Sequence, residues 1–183
     1  MFIEAIALAI IIGYAAGGRL KRLEDADIKG IYLVFTAFLT EAVIMFLIRK
    51  GIVQRGTITY LLDVLMYSQL AAFTWINRKN PWLVITGAGF LLNAIPIFLN
   101  GGAMPVSVDA AVKSGFVSSA QEINLEARGL YTAVTESTKL WFLGDVIPKS
   151  FIMKSVISIG DIVSSIGIAG FIITRMRSTH KVK

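Results

Sequence analysis

Five stretches of this chain, residues 2–17, 30–48, 58–76, 82–99 and 156–174, are apolar around their whole circumference and are separated by polar connections. A helix on a soluble core shows one apolar stripe, whereas a helix that is apolar on every face needs an apolar surrounding. About 20 helical residues cross a hydrocarbon core of roughly 30 Å. The pattern predicts an all-α fold, a polytopic transmembrane helix bundle of about five spans. The composition agrees: 55% of the 183 residues are hydrophobic and 16% charged, and the mean hydropathy is +0.70, above the ~45–50% apolar content of soluble domains.

The formal net charge of +6 does not mark a nucleic-acid binder, because the Lys and Arg residues sit in short runs between apolar segments and not on one face. Topology accounts for them. Arg19, Lys21, Arg22 and Lys29 make the first connection basic, and the tail with Arg175, Arg177, His180, Lys181 and Lys183 is basic too. By the positive-inside rule both belong in the cytoplasm. The expected location is the bacterial cytoplasmic (inner) membrane, with the C-terminus cytoplasmic and residues 100–155 forming an outer cap on a single membrane domain. Arg49, Lys50 and Arg55 run against that orientation, while the Asn77 to Pro81 turn agrees with it. The first stretch lacks a basic leader and is followed by a basic loop, the order of a retained helix and not of a cleaved signal.

The sequence has no cysteine and a single histidine, which excludes disulfides, thiolate chemistry, a cysteine metal site and a histidine-dependent triad within it. No cofactor or metal is called for. Ser107 followed by Asp109 and helix formers predicts a short cap helix. A second, amphipathic helix is expected from about Glu122 to Leu143, with Leu125, Leu130, Val134 and Leu140 on one side and Trp141 and Phe142 anchoring its end.

Charges within apolar spans are costly, ~2.5–3.5 kcal/mol for an aspartate at a helix centre, and so must face protein or water. Glu41 is central in its span. It reads either as a proton-relay or substrate-contact group or as a carboxylic acid bonded to another helix. Glu4 and Asp63 lie nearer span ends, where snorkelling is cheap. Three Gly- and Pro-bearing elements stand out: NGGAMPV over 100–106, LGDVIP over 143–148 and SIGD over 158–161. Gly101 and Gly102 permit positive φ, and Pro105 and Pro148 fix turns, so the loops read as shaped. Asp145 and Asp161 fall at the same surface. Brought together they would share acid and base roles in activating water, with Asn100, Gly101, Gly102, Met104, Pro105 and Glu41 as substrate-binding candidates. The alternative is that Asp161 caps a backbone turn and Asp145 binds loop amides.

On those three motifs the chain resembles a family of uncharacterised multispanning bacterial membrane proteins, a likeness that implies no activity. The last forty or so residues are also similar to lipoprotein signal peptidase, an intramembrane aspartic protease. It has a glycine-flanked aspartate before its last span and another at that span's outer end, where Asp145 and Asp161 stand here. That resemblance implies paired-aspartate hydrolysis of a lipidated peptide. Its Asn-Leu-Ile-Asp-Arg-like motif is missing, Gly160 replaces an expected alanine, and the span count differs by one; Asn93 or Asn100 would have to replace the motif asparagine.

The rival reading is a non-catalytic membrane subunit or a small-molecule or lipid binder, docking through Glu41 and the small face of Gly160, Ser164 and Gly167. A transporter ranks third, with Pro96 as a possible helix break. The expected partners are the lipid bilayer and either a lipidated peptide or another membrane protein, with no nucleic acid.

Overall fold

The computed structural model describes residues 1–119 and 129–178. Five long helices carry the fold: α1 (Phe2–Ala15), α2 (Ile31–Arg49), α3 (Thr57–Ile76), α4 (Pro81–Leu99) and, after the short α5 (Val108–Lys113), α6 (Ile159–Arg177). They alternate in direction. At one end the loop after α1 lies on the C-terminus of α6, where Arg19 N–H and Arg22 Nη1 donate to Met176 O at 2.9 and 3.0 Å. At that end too, the Asn77 side chain exchanges hydrogen bonds of 3.0 and 2.8 Å with the Lys29 backbone. The other end carries the cap.

Three helices, α2, α4 and α6, are long and apolar enough to cross a membrane, each with nineteen residues. Such helices suggest an integral membrane protein. The fourteen residues of α1 reach only about 21 Å at ~1.5 Å per residue. The twenty-residue α3 is long enough, but Asp63, Ser68, Gln69 and its threonines dilute its apolar character. Five crossings therefore exceed what length and composition establish. Outward-facing Phe35, Leu39, Leu61 and Leu91 are each at least 60% exposed, a surface suited to lipid. Inside, Ala37, Met66, Leu70 and Phe90 form one cluster and Phe73, Leu83 and Phe171 another.

The last span begins later than its hydropathy predicts. Val156 and Ile157 belong to a strand, and Ser158 caps α6: its Oγ accepts from Asp161 N at 2.9 Å, while Asp161 Oδ2 accepts from Ser158 N at 3.3 Å. A reciprocal box of this kind satisfies two otherwise orphaned amides, so the helix starts at Ile159 and runs on to Arg177. The α4 helix continues through Pro96 to Leu99 without a break.

The cap is only partly helical. Ser107 caps α5 as expected, accepting from Ala110 N at 3.1 Å. The other elements are short strands: β1 (Met104–Val106) pairs in parallel with β2 (Tyr131–Ala133), and β3 (Ile147–Lys149) pairs antiparallel with β4 (Ser155–Ile157). The helix expected over 122–143 lies outside the described residues up to 128, and from 129 onward it is replaced. Tyr131 and Thr132 favour extended backbone, Thr138 Oγ1 closes a turn by accepting from Thr135 N at 2.8 Å, and Leu140 takes φ +47° before a 3₁₀ turn at Trp141–Leu143. A second anchor ties cap to bundle: Lys149, 3% exposed, donates to Glu4 Oε1 of α1 at 2.6 Å, and Met153 N donates to the same oxygen at 3.1 Å.

Candidate functional site

On the cap side of the bundle α2, α3, α4 and α6, together with residues of the cap, line a cavity of ≈150 Å³. Its polar wall is Glu41 from α2, Asp63 and Tyr67 from α3, Asn93 from α4, Asp145 from the cap and Asp161 from α6. The remaining wall includes Met66, Ile97, Met104 and Leu130, with Gly102 and Tyr131 at the cap. Four carboxyl groups thus face one small space, and no Lys or Arg lines it among the described residues.

Each carboxyl is delivered by a different element. Glu41 lies eight residues before the end of α2, about 12 Å along its axis, and Asp63 six residues from the start of α3, about 9 Å. Those depths bring the two to a similar level. Asp161 is the third residue of α6, nearer the cap than a helix beginning at 156 would put it. Asp145 is held by backbone pairing: its N–H donates to Pro105 O and its C=O accepts from Ser107 N, both at 2.8 Å. The 143–148 segment is thereby stitched to β1.

Asp161 and Asp145 are set differently. Asp161 Oδ1 accepts from Asn93 Nδ2 at 3.0 Å, Oδ2 accepts from Ser158 N, and Ser158 Oγ donates to Asn93 Oδ1 at 2.7 Å. The Asp145 carboxyl has no such donors among the described residues. Burial pushes its pKa well above the usual carboxylate range, and the Asp161 charge pushes it further. Asp63 is 4% exposed, and its Oδ2 has no hydrogen-bond partner among the described residues.

Of the loop residues singled out, Gly102 and Met104 reach the cavity. Gly102 has φ +78°, and a Cβ there would lie 3.1 Å from Asp63 Oδ2 and 3.3 Å from the Tyr60 ring, so the backbone comes close because the side chain is missing. Asn100 instead ties the loop down, donating to Pro96 O and Lys139 O and accepting from Lys139 N at 2.7 to 3.0 Å. Gly101 is exposed, and Pro105 is buried behind the cavity as the acceptor for Asp145 N. Asn93, Tyr67 and Asp63 complete the wall. Asp63 had a sequence signal as a charge near a span end and Asn93 as a stand-in for the motif asparagine, whereas Tyr67 had none.

The seam between α4 and α6 explains how Asn93 meets Asp161. A Cβ on Gly160 would stand 2.0 Å from Asn93 Oδ1 and 2.6 Å from Gly89 O, and one on Gly167 would be 2.4 Å from Thr86 Oγ1. The helices approach through these absent side chains. The face of Gly160, Ser164 and Gly167 is accordingly occupied by α4.

The family described as a family of unknown function (DUF5317) matches residues 25–173, which include every wall residue of the cavity. The chain belongs to that family. A relative from Thermotoga maritima, itself described as an uncharacterized protein, is 28% identical over 179 residues, covering 97% of this chain and 93% of its own. No solved structure matches the chain. Membership brings no activity with it, so the chemistry of the family has to be argued from the cavity.

Proposed function

We propose that this protein is a five-span inner-membrane hydrolase, with its cap outside, its C-terminus in the cytoplasm, and Asp145 and Asp161 as its acid and base. The observation that carries this reading is that both aspartates open onto one ≈150 Å³ cavity while lying in unlike surroundings. Two carboxyls whose environments differ divide acid and base work between them. Asp145, whose hold on its proton is strengthened by burial and by its neighbour, is the acid and donates to the leaving group. Asp161, steadied by Asn93 and by the Ser158 amide, takes a proton from water as that water adds to an acyl carbon. The substrate's carbonyl–heteroatom bond breaks, giving an acid and an amine or alcohol.

Three further features support the reading. A cavity of ≈150 Å³ holds about five waters at their liquid volume of ~30 Å³ each. Gly102 and Met104 offer backbone and side chain for positioning an extended substrate. An apolar groove of ≈580 Å³ between α3 and α4 shares Tyr67 with the cavity, a suitable berth for the chain of a lipid-anchored substrate. The resemblance to lipoprotein signal peptidase points the same way, and Asn93 takes the part of the missing motif asparagine. The docking alternative loses its small-residue face to α4 and Glu41 to the cavity.

The test is cleavage of a panel of lipid-anchored peptides by the purified protein in nanodiscs, read by mass spectrometry. Asp145→Asn and Asp161→Asn should each slow cleavage at least 100-fold, the lower range for losing a general acid or base, with the fold intact by circular dichroism. Cleavage surviving both substitutions, or no cleavage of any peptide, overturns the proposal.

A further inference from the structure

We infer that the deep wall of the cavity, Asp63 and Glu41, is a recognition site for an organic ammonium group carried by the substrate. This deepens the hydrolase reading by naming its substrate class; it rests on that reading for the reaction but not for the binding.

The starting point is a polar group left without a partner. Asp63 is 96% buried, taken from its 4% exposure, and its Oδ2 meets no donor among the described residues. A buried acceptor with nothing to accept from costs about 1–3 kcal/mol, a cost normally avoided by pairing or by placing the group at the surface. Here the residue lines a cavity that Glu41, Asp145 and Asp161 also line, with no Lys or Arg in its wall among the described residues. The missing element is a positive charge and a hydrogen-bond donor, and an ammonium group supplies both.

The rest of the wall selects the kind of cation. A metal ion needs several hard oxygen ligands converging at 2.0–2.6 Å, and among the described residues no three carboxylates, histidines or cysteines are grouped to hold one. The same wall carries Tyr67 and Tyr131 and the methionines Met66 and Met104. Aromatic faces attract organic cations, and methionine packs against irregular alkyl surface. At ≈150 Å³ the space is several times larger than one water and admits an alkylammonium head. The ammonium can be the amine of a phospholipid headgroup or that of an amino compound or peptide. Both present the same chemistry.

The experiment is isothermal titration of the full-length protein with hexylammonium chloride, in nanodiscs of phosphatidylglycerol. Saturable binding is expected, with hexanol and magnesium chloride silent. Asp63→Asn should weaken it at least tenfold, and Glu41→Gln, a second variant in case the first fails to fold, should weaken it as well. Binding by hexanol as tight as by hexylammonium, or affinity unchanged in every folded variant, overturns the inference. Repeating the titration in discs containing phosphatidylethanolamine separates the sources: competition identifies the lipid headgroup, and undiminished binding identifies a non-lipid amine. If ammonium binding fails while peptide cleavage depends on Asp145 and Asp161, only this inference falls. If binding holds and no cleavage is found, only the hydrolase reading falls.

Discussion

The α4–α6 seam and the cavity beside it are built from the same residue types and treat them in opposite ways. In the seam Asn93, Ser158 and Asp161 bond one another, Ser164 Oγ donates to Thr86 O at 3.1 Å, and glycines bring the backbones into contact. In the cavity wall Asp63 is 4% exposed, and its Oδ2 has no donor among the described residues. Polar groups that hold helices together are saturated, because an unpaired one would subtract from the stability they exist to supply. Groups that await a ligand or take part in chemistry stay unsaturated at a cost in stability. Gln69 Oε1, Ser155 Oγ and Ser165 Oγ are also buried without a partner among the described residues, but none of these residues lines the cavity; what sets Asp63 apart is that it is a carboxyl in that wall.

The seam should break most severely. Gly160→Val puts side-chain atoms where Asn93 Oδ1 and Gly89 O already stand, 2.0 and 2.6 Å from the first added carbon. One of those neighbours is backbone and cannot rotate away. Overpacking of this kind costs about 1–3 kcal/mol and sometimes more, so a thermal-unfolding midpoint lowered by several degrees in lipid is expected. A midpoint within a degree of the wild type would mean that the helices are not held this closely.

The same truncation made on both sides sharpens the comparison. Asn93→Ala strips a donor from Asp161 and an acceptor from Ser158, for a loss of about 1–3 kcal/mol. Asp63→Ala removes a carboxyl that no described residue engages, and its midpoint should stay level or rise. Equal losses at the two positions would show that Asp63 is framework too, which would also weaken the ammonium inference.

The helical frame was readable in the sequence because all-round apolarity and length are one-dimensional properties. The helix ends and the cap were not. Val156 and Ile157 are as apolar as the span that follows, and only Ser158 and Asp161, three residues apart, marked the true start as a capping box. Leu130, Val134 and Leu140 have a helical spacing, yet Tyr131–Ala133 pairs with Met104–Val106, a contact between segments far apart in sequence that no local periodicity can report. The site divided along the same line. Asp145, Asp161 and Glu41 were conspicuous as charges near or within apolar runs, whereas Asp63 and Glu4 both looked like charges near span ends with an easy route to water. Lys149 claims Glu4, and the cavity claims Asp63. Which of two similar carboxyls is paired depends on the cap's path, and that path is set by tertiary contacts.

The smallest effect expected is one of pH, and it tests whether Asp145 belongs with the site or with the framework. Folding raises its pKa above the ordinary 3.8, first through burial and then through the Asp161 charge. A carboxyl raised in this way binds its proton more tightly in the folded protein than in the unfolded chain. Its contribution to stability is therefore fully present below the ordinary carboxylate pKa and is lost as the pH climbs through the raised value. The unfolding midpoint should decline gently from about pH 4 upward across that window, and Asp145→Asn should remove this part of the slope while leaving the low-pH midpoint near that of the wild type. A framework aspartate held by donors would give the reverse, a midpoint that rises over the same range. Superimposable profiles for the two proteins would mean that Asp145 meets water freely, and the division of acid and base between it and Asp161 would go with them.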